Sequence, residues 1–278
     1  MSYTNGLDNP ELYFQTKLYT GNGGTQSITL DGSENMQPDW VWIKERNTAV
    51  SHQVFDAIRG ATIRLYPDDP SAENTNTNSL TAFDSDGFSL GNAGSTNGNS
   101  DTYVAWNWKA GTSFTNDASS TGIGTIDSSG SFNNDAGFSI IKYTGNGTSG
   151  ATTKHGLSTK PDWMIVKNRD EADSWQVYHH KNTSAPATET IQLNETGATS
   201  DTSNRWNDTE PTTTLLTLGD NTTVNKNTVQ YVGYIFSEKK GYSKFGSYTG
   251  NGNADGTFVY TGFRPAWLLI KETTQTRN

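Results

Sequence analysis

Carboxylates, histidines and tryptophans are the side chains whose types and spacing could do chemistry in this chain. Asp39 and Asp162 each stand between a proline and a tryptophan, in Pro38-Asp39-Trp40 and Pro161-Asp162-Trp163. Two acids about 5 to 10 Å apart, one with a raised pKa, would cleave glycosidic bonds. The matching position is alanine in Pro265-Ala266-Trp267, and an acid between a proline and a strand suits a turn, so polysaccharide depolymerisation stands as a minor alternative. Asp84 and Asp86, beside Gly87, have a spacing that calcium loops use. No glutamate follows at the EF-hand distance, and a tight turn explains the residues more simply; Asp84 and Asp86 remain a calcium candidate, and no metal or cofactor is assigned.

The four histidines are His52, His155, His179 and His180. Adjacent residues of a strand point to opposite faces, so His179 and His180 would not share one ion there. Eight tryptophans could stack sugar rings. Trp40, Trp163 and Trp267 recur at one repeat position, as packing residues would, whereas Trp175 and Trp206 lie in polar stretches and are the glycan-binding candidates. Neither a Gly-x-Ser-x-Gly elbow nor a Gly-x-x-x-x-Gly-Lys phosphate loop occurs, and no catalytic residue is assigned. Asn146, Asn194 and Asn221 match the glycosylation acceptor pattern, which composition alone explains in a chain so rich in Asn and Thr.

The elements that must position these residues come in repeats. Tyr-Thr-Gly-Asn-Gly occurs at Tyr19–Gly23, Tyr143–Gly147 and Tyr248–Gly252, spaced 124 and 105 residues apart, which suits small β-sandwiches and not solenoid units. A tryptophan-led apolar run ending in lysine follows each time: Trp40–Lys44, Trp163–Lys167 and Trp267–Lys271. Such runs mark strands covered on both faces. The first two copies close on Tyr103-Val104-Ala105-Trp106-Asn107-Trp108 and Tyr231-Val232-Gly233-Tyr234-Ile235-Phe236, whose alternation places Val104, Trp106 and Trp108, or Val232, Tyr234 and Phe236, on a core face. The expected class is all-β, with tandem antiparallel β-sandwich domains: repeat one over 1–111, a Ser/Thr/Gly/Asn-rich linker over 112–134, repeat two over 135–240 and a partial repeat three over 241–278. The third copy is expected to be disordered, docked on unit two or completed by another chain. Ser51–Leu65 is the only helix seed, and a strand with a loop fits it equally well.

Composition narrows the partners. A net charge of −9 disfavours nucleic acid, which requires clustered Lys and Arg. No stretch approaches the roughly 20 apolar residues of a spanning helix, so membrane insertion is not expected, and the absence of cysteine excludes disulfides and thiolate zinc sites. Residues 1–17 lack a secretory leader, so exit from a cell would be by lysis or assembly.

Asp8-Asn9-Pro10 with Tyr13-Phe14, the Pro38–Lys44 word, Ser85–Gly91, Tyr103–Gly111 and Gly241–Tyr248 carry a resemblance. The chain resembles a domain family of uncharacterised function found in virion structural and tail-fibre proteins of marine tailed bacteriophages. The resemblance implies a lectin-like or jelly-roll sandwich in a phage particle and brings no catalytic residue with it. The expected function is therefore that of a non-enzymatic virion structural protein (fibre, appendage or capsid decoration), made in the bacterial cytoplasm and assembled with other virion proteins and copies of itself. A carbohydrate-binding adhesin for host surface glycans is the alternative.

Overall fold

The structure, a computed structural model, describes Leu7 and residues 9–276; Asp8 of the first resemblance word lies outside the described residues. Unit one runs β1 (Phe14–Thr20), β2 (Gln26–Thr29), β3 (Trp40–Glu45), β4 (Gln53–Asp56), the two-residue strands β5 (Ile63–Arg64) and β6 (Asn74–Thr75), β7 (Leu80–Asp84), β8 (Gly87–Leu90) and β9 (Thr102–Trp108). Unit two runs β10 (Thr112–Asn116), β11 (Ser128–Asn133), β12 (Phe138–Thr144), β13 (Ala151–Lys154), β14 (Trp163–Asn168), β15 (Gln176–His179), β16 (Glu189–Gln192), β17 (Ser200–Asp201), β18 (Leu215–Leu218) and β19 (Gln230–Phe236). The protein is all-β, and its named strands pair antiparallel. Ser51–Leu65 holds β4 and β5 and no helix.

The repeated words build the same sheet twice. In unit one the order is β1-β9-β3-β4, and the matching strands of unit two keep that order as β12-β19-β14-β15. Each main sheet covers a smaller one, β2-β8-β7 in unit one and β13-β18 in unit two. Alternate residues of β3 divide between two cores. Val41 and Ile43 join Phe55, Phe88, Tyr103 and Ala105 inside unit one, while Trp40 and Trp42 join Phe138, Trp163, Tyr234 and Phe236 of unit two. The apolar runs are thus covered on both faces because the two main sheets pack on each other through their outer faces. The expected core face of Trp106 and Trp108 looks into this shared cluster; Tyr103 and Ala105 behind it fill the inner core of unit one.

Residues 112–134, expected to be a linker, instead extend the sheet. β10 pairs β11 from Thr112↔Phe132 to Asn116↔Ser128, and β11 pairs β12. Hydroxyl-rich strands suffice there because the pairing energy is backbone hydrogen bonding, while Ile126, Phe114 and Phe132 anchor the segment against the inner core of unit two.

The Tyr-Thr-Gly-Asn-Gly word has a physical reason at each letter. Tyr19 stacks on Tyr103 with ring centroids 5.0 Å apart, and Tyr143 on Tyr231 at 5.2 Å. A buried asparagine then organises the turn: Asn97 accepts from the Asn22 N–H and donates to the Gly24 and Gly91 carbonyls, and Asn225 likewise accepts from Asn146 and donates to Thr148 and Gly219. The first glycine leaves room for that segment. A Cβ on Gly21 would stand 2.1 Å from the Gly98 carbonyl oxygen, and one on Gly145 2.3 Å from that of Lys226. The second glycine has positive φ, +66° at Gly23 and +69° at Gly147.

A strap from unit one, residues 57–73, crosses onto unit two. Arg59 and Asp56 are fully buried and paired at 2.6 Å. The Tyr234 hydroxyl of unit two donates to the same Asp56 oxygen at 2.6 Å. Arg169 grips Glu73 with two bonds of 2.9 and 2.8 Å. Lys167 donates to the Pro70 carbonyl and Trp175 to that of Tyr66. Burial pushes the Lys167 ammonium down to about 8, and its carbonyl partners replace the lost water.

Two stability outcomes follow. Gly145→Ala should cost about 2 kcal/mol or more in urea unfolding; a cost below about 0.5 kcal/mol would contradict the close backbone approach. Arg59→Met leaves Asp56 buried without its cation, so about 3–5 kcal/mol should be lost and both units should unfold together; two separated transitions in the parent protein would contradict the shared core.

Candidate interaction surface

The third repeat is present as sequence but builds no sheet. Beyond a single bridge between Lys239 and Ser243, no strand forms among the described residues from 241 onward. The segment lies against the rest of the protein through a few anchors. Trp267 meets Trp108 edge-on at 5.3 Å and lies 6.2 Å from both Trp42 and Trp163; Phe245 stacks on Trp163 at 5.8 Å. Thr199 donates to the Thr273 carbonyl, and Lys271 to that of Glu195. All three repeat lysines thus spend their ammonium on backbone carbonyls: Lys44 on Val50, Lys167 on Pro70 and Asn168, Lys271 on Glu195.

Its apolar strand residues remain outside. Among the described residues eight large apolar side chains are exposed, and seven of them belong to this segment: Tyr248, Phe258, Val259, Tyr260, Leu268, Leu269 and Ile270. Phe258 keeps 86% of its surface and Leu268 68%, so these are solvent-facing side chains with no core of their own. Large apolar side chains left exposed in one segment are a feature of places of interaction.

Where the segment leaves unit two, a cleft of about 470 Å³ is lined by Asp162, His180, Lys181, Glu238, Lys244 and Phe245. His180 Nδ1 lies 3.0 Å from Asp162 and its Nε2 3.0 Å from the Phe245 carbonyl. Both ring nitrogens therefore have acceptors, which favours the imidazolium form. The Asp162 hydrogen bond raises the His180 pKa against the opposing effect of burial. Burial pushes Asp162 up, but His180 and the Glu238 N–H prevail and hold it below the usual carboxylate range. Across the cleft Lys244 pairs with Glu238 at 2.8 Å.

A family model matches residues 9–278. The chain belongs to DUF7483, a domain family of unknown function. The matched region takes in all three copies, so the third belongs to the family's own unit. No curated protein and no solved structure matches the chain.

The site residues expected from the sequence fall elsewhere in this DUF7483 fold. Trp175 and Trp206 are each 1% exposed, which corrects their assignment as sugar-stacking faces: the rings pack inward, and polar neighbours such as Gln176 are themselves buried and hydrogen-bonded. Asp84 accepts from the Ser89 hydroxyl and Asp86 from the Met36 N–H, so both tie down the β7–β8 turn; no cluster of three or more metal-ligating side chains occurs among the described residues. Asp39 and Asp162 share one task in their own units. Asp39 accepts from the Ala110 and Gly111 N–H groups, and Asp162 from that of Glu238, just past the ends of β9 and β19. His52 accepts from the Trp42 indole, and His155 Nε2 sits 3.2 Å from the Thr212 carbonyl. Among the described residues no helix is long and apolar enough to cross a membrane. The strap residues Arg59 and Glu73, and their partner Arg169, carried no sequence signal beyond being charged.

Titration sets opposite limits on this arrangement. His180 has a raised pKa, so its contribution is full below the ordinary histidine value and is lost as pH rises through the raised one. Burial holds His155 and His179 down at about 4; their neutral forms stabilise the fold above the ordinary histidine value, and that stability drains as pH falls toward about 4. Urea stability should therefore pass through a maximum. His180→Gln should flatten the alkaline limb, by at most about 1 kcal/mol for this partly exposed pair, and an alkaline limb unchanged in that variant would contradict the latch.

Proposed function

We propose that this DUF7483 protein is a structural component of a bacteriophage virion, in a fibre, appendage or capsid decoration, and that it works by protein–protein assembly through its third repeat. The carrying observation is the concentration of exposed apolar side chains on that repeat, set beside a body whose cores are closed. The tandem sandwich layout and the resemblance of the repeat words to phage structural domains support the same reading. Two sheets sharing one core give a rigid, multi-layered platform, and the third copy is the part left to meet a neighbour.

The double variant Phe258→Ser/Leu268→Ser tests this, because neither side chain supports the body. Its unfolding free energy should stay within about 0.5 kcal/mol of the parent, while incorporation into particles, read by immunogold labelling of phage from complemented infections, should fall at least tenfold. Unlabelled parent particles, or full incorporation of the variant, would refute the reading.

A second reading rests on a polar groove of about 310 Å³ lined by Thr190, Gln192, Asp201, Asn204, Arg205 and Asn221. Arg205 is held there by Gln176 and Asn204. Amides, hydroxyls and a fixed guanidinium are the groups that bind sugar hydroxyls, so host glycan recognition, if present, belongs to this groove and not to Trp175 or Trp206.

A further inference from the structure

The strand registers of units one and two match position by position. Gln53 lies opposite Ile43 and Gln176 opposite Val166, so these two buried glutamines hold the same place. Carried across the next strand pairs, the register sets Thr190 where unit one has Arg64, Gln192 where it has Tyr66, and Ser200 where it has Asn74. The amides of Gly91 and Gly219 donate to the carbonyls of Ser79 and Arg205, and those of Ala93 and Asn221 to Asn78 and Asn204. Arg205 therefore stands at the position of Ser79, and Asn221 at that of Ala93.

In unit one this place is filled by its own side chains. Arg64 donates to Gln53, Asn74 and Ser79 and lies 5.3 Å from the centre of the Tyr66 ring, while Asn74 donates to the Tyr66 hydroxyl. Unit two keeps a guanidinium on the matching glutamine but brings it from another part of the chain. Arg205 Nε donates to Gln176 at 3.1 Å, and Thr190 donates to the same oxygen. Thr190, Gln192 and Ser200 are smaller or more flexible than the arginine, tyrosine and asparagine they replace, and all three line the open groove of about 310 Å³. Unit one shows that the fold can close this place, so the opening belongs to the sequence of unit two and is not a requirement of the sandwich. Among the described residues the acceptors of Arg205 are two neutral amide oxygens, of Gln176 and Asn204, with Nη2 left unpaired, and Arg205 makes no ion pair. Burial pulls its pKa down against the opposing effect of Asp173: the cation has lost water without gaining a counter-charge in contact.

We infer that this groove binds a carboxylate-bearing sugar, with Arg205 holding the carboxylate and Gln192, Asp201 and Asn221 the ring hydroxyls. The inference rests on the second reading above, glycan recognition in this groove, and names its ligand class. A guanidinium and a carboxylate match as a planar, charge-assisted pair, and the amide and carboxylate oxygens beside it accept hydroxyl protons. The volume falls at the small end of ligand sites, about 300–1,000 Å³. Arg205 is the one cation among the lining residues and Asp201 stands with it, which disfavours a densely sulfated or phosphorylated polymer, since such ligands need clustered cations.

The probe is an oligouronate, compared with the same oligosaccharide after its carboxyl groups are reduced to alcohols, each titrated onto the intact protein by calorimetry. The oligouronate should bind about tenfold or more tighter, as one charge-assisted contact allows. Arg205→Gln should remove that advantage and leave the affinity for the reduced sugar unchanged. Gln192→Tyr, which copies Tyr66 of unit one, should fill the groove and weaken both sugars by about tenfold or more; it leaves Arg205 and its partners in place, so the test stands even if Arg205→Gln fails to fold. Equal affinity of the parent for both sugars, with both weakened in Gln192→Tyr, would overturn the acidic-sugar inference and leave glycan recognition in the groove standing. Acetate binding as tightly as the oligouronate would also overturn it. No binding of either sugar, or binding unchanged in Gln192→Tyr, removes both.

Discussion

Each sandwich depends on one strand whose two edges are both occupied. β9 and β19 carry the hydrogen bonds of two neighbours apiece, offer the tyrosine on which the repeat tyrosine stacks, and follow the asparagine that closes the glycine turn. Isolated pairs of strands are marginal in water, whereas three strands with a packed face hold together. Copies one and two have that third strand, and their flanking words are ordered by it. Among the described residues copy three forms no strand, and Tyr248, Leu268, Leu269 and Ile270 of its words are exposed.

The second constraint is the shared cluster between the main sheets. Trp40 stacks on Tyr234 at 4.4 Å across the two units, and burying side chains of this size contributes roughly 1.5–3 kcal/mol each. The polar strap around Asp56, Arg59 and Glu73 fixes which face meets which, since a misaligned approach would leave a buried charge without its partner. Together they turn two small sandwiches into one stiff body. Trp267, from the third copy, packs against the same cluster, so that copy is tethered where the other two meet.

Much of this was legible in the residues. Recurring Tyr-Thr-Gly-Asn-Gly and Trp-led words gave the all-β class and the equivalence of the copies, because turn glycines and doubly covered strands leave a clear pattern. The closing strands were recognised too, although only one of their two buried faces was: Ala105 and Asn107 are too small or too polar to look like core. The β10–β11 edge stayed hidden because strands held by backbone pairing need no apolar pattern. Trp175 and Trp206 misled for a related reason, since polar neighbours on a strand or turn say nothing about where the ring points. The strap was illegible, as a buried ion pair between Arg59 and Asp56 looks in sequence like any surface charge.

Amide hydrogen exchange across the three copies of the intact chain tests the central claim most directly. β9 and β19 should exchange slowest and with a common opening free energy, because they belong to one cooperative body, while amides in 245–271 should exchange orders of magnitude faster. Protection in the third copy equal to that of β1 and β12, or opening of unit one independently of unit two, would contradict the account.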